Sequence, residues 1–195
     1  MRLKAIQLMI VLTSLFGSVE AFKPQLQPEF RIGCFRPSET KFRKIYQEWS
    51  VQCQFEVSTP VYSPKPIYGW ANVGYDYTRG LSLGLKNSTT IRIVPVTLGL
   101  KYYWCLRPRL SAYLGAGGGG TYVQIHDENP AVVRHTNKMA WGVALKSGLN
   151  YRIGRCAFAD FFVDYTYMHL SVRGKNRNNA NVGGLIVGFG AGIQF

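Results

Sequence analysis

Gly183 to Phe195 reads GGLIVGFGAGIQF. Leu185, Val187, Phe189, Ala191, Ile193 and Phe195 occupy every second position, and Ile186, three glycines and Gln194 fall between them. A period of two is the mark of a β-strand, whose successive side chains point to opposite faces. This strand has one apolar face and one nearly bare one, and its last residue is a phenylalanine on the apolar side.

The same alternation recurs upstream. Trp49, Val51, Cys53, Phe55 and Val57 alternate with Ser50, Gln52, Gln54, Glu56 and Ser58. Val94, Val96, Leu98, Leu100, Tyr102 and Trp104 alternate with Pro95, Thr97, Gly99, Lys101 and Tyr103. Met139, Trp141, Val143, Leu145, Leu149 and Tyr151 share one face of another segment, with Lys138, Lys146, Asn150 and Arg152 on the other. Ala159, Phe161, Val163, Tyr165 and Tyr167 oppose Asp160, Asp164 and Thr166. Weaker segments are Phe30-x-Ile32-x-Cys34, Ala71 to Tyr77 and Leu110 to Ala116. With the C-terminal segment, the pattern predicts eight strands.

The breaks between strands alternate in length. Pro37–Glu48, Arg79–Thr89, His126–Thr136 and Arg173–Asn181 are long and polar, whereas Cys105–Pro108 and Ile153–Arg155 are tight. Thr59–Pro66 is a Pro-rich exception, and Lys41–Glu48 is the one stretch that reads as helical. Long loops on one end and short turns on the other are the pattern of an outer-membrane barrel. The large apolar faces are then directed to lipid and the charged, glycine-rich faces to the interior. Glu56, Asp76, Lys101, Lys146, Arg152, Asp160 and Asp164 are accordingly expected to line the lumen. Tyr and Trp gather near both strand ends, as the two membrane interfaces select. The expected fold is all-β: an eight-stranded antiparallel up-and-down transmembrane β-barrel. On this reading Lys146→Glu, facing a polar lumen, is tolerated better than Val143→Glu, facing hydrocarbon.

The N-terminus reads as an export signal. A basic start with Arg2 and Lys4, an apolar run from Ala5 to Phe16 and the small-residue Val19-x-Ala21 site predict a signal peptide over residues 1–21. The barrel domain is then residues 22–195, in the outer membrane of a Gram-negative bacterium. The formal net charge is +13 for the whole chain. An exported basic protein points to anionic surfaces such as lipid phosphates and acidic glycans rather than to nucleic acid.

All four cysteines, Cys34, Cys53, Cys105 and Cys156, would meet an oxidising compartment. No C-x-x-C occurs, so neither a zinc site nor a thioredoxin-type site is suggested. Cys34 and Cys53 flank the first long loop on the apolar faces of adjacent strands, so a disulfide between them is the expected pairing.

Gly190-x-x-Ile193-x-Phe195 resembles the C-terminal β-signal by which the barrel assembly machinery recognises its clients, with Gly188 where a polar residue is usual. Ile93 to Trp104, with its Pro-x-Thr and closing aromatics, is similar to the fourth strand of the OmpW-like small outer-membrane barrels. Tyr113-Leu114-Gly115-Ala116-Gly117 and Trp141 to Tyr151 resemble the fifth and sixth strands, so the likeness covers residues 91–195. It implies a structural or narrow channel-type barrel passing small, hydrophobic solutes and supporting the envelope. The expected partners are outer-membrane lipid and lipopolysaccharide, periplasmic chaperones and the assembly machinery, for a monomer without a cofactor.

Three features invite other chemistry. His169-Leu170-Ser171 is similar to the His-x-Ser of lipid A deacylases, but no Asp or Glu follows Asp164 to orient the histidine. The expectation is therefore a non-enzyme. Gly115 to Gly120 lacks the Lys-Ser/Thr of a phosphate loop and lies in a strand pattern, and His126-Asp127-Glu128 reads as solvated loop rather than metal site. The basic residues at the long-loop end are more suggestive. Arg36, Lys41, Arg43 and Lys44 lie in the first loop region and Arg173, Lys175 and Arg177 in the fourth, with Arg79, Lys86, Arg92, Arg134 and Lys138 between. They predict an anion-binding rim able to pair with lipopolysaccharide phosphates, or an adhesin's site for host glycans.

Overall fold

In the computed structural model, residues 26–45, 48–62, 66–81, 88–127, 135–171 and 179–195 are described. Strand β1 (Gln27–Pro37) is followed by the short helix α1 (Thr40–Ile45). Then come β2 (Ser50–Tyr62), β3 (Ile67–Leu81), β4 (Ser88–Arg107), β5 (Leu110–Asp127), β6 (His135–Ile153) and β7 (Ala157–Ser171). The final strand is written in two pieces, β8 (Asn179–Asn181) and β9 (Gly184–Ile193). Both pair with β7 in one register, Asn181 opposite His169 and Leu185 opposite Tyr165, so they are one strand interrupted at Val182 and Gly183. Every neighbour pair is antiparallel, and β9 returns to pair with β1 from Glu29↔Gly192 to Pro37↔Gly184. The sheet is therefore a closed eight-stranded barrel with no free edge. The predicted signal peptide, residues 1–21, lies outside the described residues.

Alternation sets which way each side chain points. Along β1, Glu29, Arg31, Gly33 and Phe35 are buried while Phe30, Ile32 and Cys34 are exposed. Along β6 and β7, Val143, Leu145, Phe161 and Tyr165 are exposed while Lys146, Asp160 and Asp164 are buried. Buried charge and exposed Leu, Val, Phe and Trp are the reverse of a soluble protein, whose charged side chains are almost never fully buried. This is a transmembrane barrel, apolar outside and polar at its centre.

The Pro-rich connection is shorter than its composition suggests. β2 runs on to Tyr62 and β3 begins at Ile67, with a register shift between Pro60 and Tyr62. A bulge is where a strand tolerates a residue without an N–H. Pro95 lies inside β4, where the β3–β4 ladder skips from Val73↔Val96 to Asp76↔Ile93. Gly74, across from it, leaves room for the proline ring: a Cβ there would lie 2.8 Å from Pro95 Cγ. Gly117 and Gly119 of β5 have a related cause. A Cβ on Gly119 would overlap the Val96 carbonyl oxygen of β4, so the wall is drawn in too tightly for any side chain. Gly119→Val is expected to abolish the folded, heat-modifiable band on unboiled gels, whereas Ala116→Val, on an exposed position of the same strand, keeps it.

The interior is not polar throughout, which departs from the expectation. Phe35, Ile91, Ile93, Val123, Ala140, Phe162, Met168, Leu170, Val182 and Ile186 form one buried apolar cluster. Most belong to the long-loop ends of their strands, and Phe42 of α1 packs against them. The helix occupies Thr40–Ile45, beginning one residue before the helical stretch expected from Lys41 to Glu48.

The expected Cys34–Cys53 disulfide is not formed, and all four cysteines are free thiols. In the β1–β2 register Cys34 faces Val51 and Cys53 faces Ile32, so the two stand on a diagonal. Diagonal pairs lie roughly 7–8 Å apart, beyond the reach of about 7 Å at which a bridge closes.

Candidate functional site

The centre of the barrel is an ionic layer to which seven strands, β1 to β7, contribute. Arg31 of β1 is wholly buried and reaches five partners. Its Nε lies 3.1 Å from Glu29, Nη1 lies 3.2 Å from Glu56 and 2.9 Å from Asp164, and Nη2 lies 3.1 Å from Asp160. Nη2 also donates to the Tyr113 hydroxyl at 2.7 Å, and that hydroxyl donates to Asp160 at 2.8 Å. Lys146 bridges Glu56 at 2.8 Å and Asp164 at 3.0 Å, and Lys101 pairs with the other oxygen of Glu56. Aromatic faces complete the layer: Arg31 lies 3.7 Å from the Phe162 ring centroid, Lys101 4.6 Å from Tyr113 and Lys146 4.8 Å from Trp70. Three cations thus hold four carboxylates in a site shut off from solvent.

Glu56, Lys101, Lys146, Asp160 and Asp164 therefore meet in one cluster. Arg31 and Glu29, its hub and one arm, escaped the sequence reading, although their alternation with Phe30 and Ile32 is a signal that assigns them inward. Asp76 also faces inward but stands apart, held by Ser50 and, at 2.8 Å, by the Thr78 hydroxyl. Arg152, expected in the lumen, is exposed instead. It lies at the short-turn end beside Tyr68, Tyr103, Asn150 and Phe158, on an open cavity of about 270 Å³. β6 ends one residue later at Ile153, so its inward direction leads to the mouth rather than into the packed centre.

Between the ionic layer and the apolar cluster, Asn72, Thr97, Lys146, Asp164 and Ile186 border a cavity of about 10 Å³. That is no more than the space of one water molecule.

At the long-loop rim, Arg36 pairs with Glu48 at 2.8 Å and lies 5.5 Å from the Trp49 ring centroid. Arg43 donates to the Thr40 hydroxyl at 3.1 Å across one turn of α1. Lys41 and Lys44 belong to the same helix. Arg173, Lys175 and Arg177 lie outside the described residues. His169 is exposed on the outer wall, opposite Trp141 and Asn181 in the pairing, and Ser171 ends β7. Among the described residues no cluster of three metal-ligating side chains occurs.

The C-terminal residues close the barrel. Phe195 N donates to Leu26 O at 3.2 Å, and Ile193 and Phe195 are exposed on the lipid side. Gly190 faces β1 so closely that a Cβ there would overlap the Glu29 carboxylate, which gives it a packing role at the ionic layer. Deleting Phe195 is expected to leave export intact and block insertion, seen as accumulation of unassembled chain in fractionated cells. Normal yield of the truncated chain in the outer membrane would remove the assembly-signal reading.

No family model matches the chain, and neither does any curated protein. Solved structures do. The chain superposes on Neisserial surface protein A with a TM-score of 0.59 at 12% identity, covering 88% of this chain and 97% of that one. This is the fold of the small outer-membrane barrels. Ail, the attachment invasion locus protein of Yersinia pestis, in complex with the heparin analogue sucrose octasulfate, matches at TM-score 0.58 and 11% identity, over 89% of this chain and all (100%) of that one. The E. coli outer membrane protein W matches at 0.52 and 16% identity, over 90% and 100%. The last agrees with the OmpW-like resemblance of residues 91–195.

Proposed function

We propose that this chain is an outer-membrane barrel that acts at the cell surface by binding an anionic partner, and that its lumen carries no solute. The observation that carries this reading is Arg31, bonded to carboxylates of β1, β2 and β7 across the middle of the barrel. A solute passing through would have to break several buried ion pairs at once, each costly to separate, and then displace the apolar cluster beyond them. The channel reading therefore loses ground to the surface-binding one.

The chain's formal net charge of +13, Arg43 with Lys41 and Lys44 on α1, and the fold shared with a sulfated-ligand complex all support a polyanion as partner. Full-length protein in planar bilayers is expected to show no single-channel steps. In detergent it should bind sucrose octasulfate with an affinity that falls as salt is raised, and Lys41→Gln, Arg43→Gln and Lys44→Gln together should weaken that binding. Discrete conductance in the wild-type protein would restore the channel reading.

A further inference from the structure

The outward face of β3, β4 and β5 carries a second polar site, built around Arg79 and Arg92 of the expected basic rim and away from α1. Tyr77 pairs with Arg92 and Arg92 with Gln124; Arg79 pairs with Thr90 and Thr90 with His126. These six residues make two adjacent rows across three strands. Thr78, Ile91, Ile93 and Val123, which alternate with them, are buried, so the rows point away from the lumen. Thr90, Arg92, Gln124 and His126 line a groove of about 290 Å³. Both guanidinium groups lie 5.7 Å from the Tyr77 ring centroid, and Arg79 Nε donates to the Tyr77 hydroxyl at 3.1 Å. Arg92 thus lines the groove while Arg79 stands beside it on the same Tyr77 ring, and none of the six positions carries a carboxylate.

Height identifies what fills it. The next row toward the short turns holds Val94 and Tyr122, with Met139 beyond Tyr122, and Tyr75 is the preceding outward residue of β3. Tyr75, Tyr122 and Met139 are exposed, and the aromatic pair belongs at the membrane interface. Two residues further along a tilted strand is about 5 Å higher, in the headgroup layer. A polar groove lined by Arg92, with Arg79 beside it, on the lipid-facing wall at that height meets headgroups of the surrounding leaflet before it meets anything in solution.

We propose that this groove binds a phosphate group of an outer-leaflet glycolipid, with Arg92 as the donor in the groove, Arg79 as a second cation at its edge, and Thr90, Gln124 and His126 as polar flanks. Guanidinium suits a phosphate because its planar fork can give two parallel charge-assisted hydrogen bonds. The proposal shares with the surface-binding reading only the outer-membrane location. Sucrose octasulfate binding and conductance report on that reading, and lipid discrimination reports on this one.

The test uses full-length protein in neutral detergent micelles and measures binding of diphosphoryl lipid A and of enzymatically dephosphorylated lipid A. Diphosphoryl lipid A is expected to bind at least tenfold more tightly, with millimolar inorganic phosphate failing to displace it. Arg79→Gln with Arg92→Gln should remove that preference. Arg109→Gln with Arg155→Gln, an equal charge loss on exposed short-turn residues, should retain it. Equal binding of the two lipids by wild-type protein would overturn the site without any variant being needed. Equal loss in the two double variants would reduce the effect to overall charge, and full competition by inorganic phosphate would exclude the lipid as its source.

Discussion

Arg31→Met is expected to cost on the order of 3–5 kcal/mol of folding stability, read as a lowered urea midpoint in lipid vesicles by tryptophan fluorescence. Methionine roughly fills the aliphatic part of the arginine but leaves the four carboxylates with Lys101 and Lys146 alone. The damage should fall unevenly. Glu56 and Asp164 each keep a lysine, whereas the ion pairs of Glu29 and Asp160 run to Arg31. Adding Glu29→Gln and Asp160→Asn to Arg31→Met removes the two stranded charges, and this triple variant should recover a large part of the loss. Recovery is the discriminating result, because a cavity or a folding defect unrelated to charge would not respond to neutralising those two acids. If Arg31→Met alone unfolds as the wild type does, the ionic layer contributes nothing measurable, and the closed-lumen argument weakens with it.

The wall of the barrel was legible because it follows from alternation alone. Val51, Phe55, Val143, Leu145 and Phe161 announce a lipid face, and their partners Glu56, Lys146 and Asp160 announce an interior. Three things were less legible, each for a physical reason. In β4, apolar residues occur on both parities: Ile91 and Ile93 face in while Val96 and Leu98 face out. Periodicity cannot say that the outer third of the interior is apolar when both faces look the same. Register was the second. A loop of about a dozen residues places Cys34 and Cys53 at similar heights but does not decide between opposite and diagonal, and that single step separates a disulfide from two thiols. The third was the wall groove. Tyr77, Arg92 and Gln124 are far apart in the chain, and their row exists only once the β3–β4 and β4–β5 pairings are known.

The same distinction between face and partner reverses the expected order of two substitutions. Counting faces alone, Lys146→Glu should be harmless beside Val143→Glu. Val143 is indeed exposed, between Gly118 and Tyr167 in the pairing. A basic residue on such a lipid face costs about 2–4 kcal/mol near the midplane and an acidic one less. Lys146, however, is not a solvated lumen lysine. Its Nζ bridges Glu56 and Asp164 under the Trp70 ring, with its side chain 3% exposed. Lys146→Glu removes one of three cations and sets a fifth carboxylate among the existing four, all of them buried. The loss should exceed the roughly 3–5 kcal/mol of a single broken buried pair, and so exceed that of Val143→Glu. Lys146→Met, which removes the cation without adding an anion, should fall between Lys146→Glu and the wild type. Refolding yields in vesicles, followed by gel mobility without heating, rank the three directly. If Lys146→Glu folds better than Val143→Glu, water reaches the centre of the barrel, and the interior is a lumen after all.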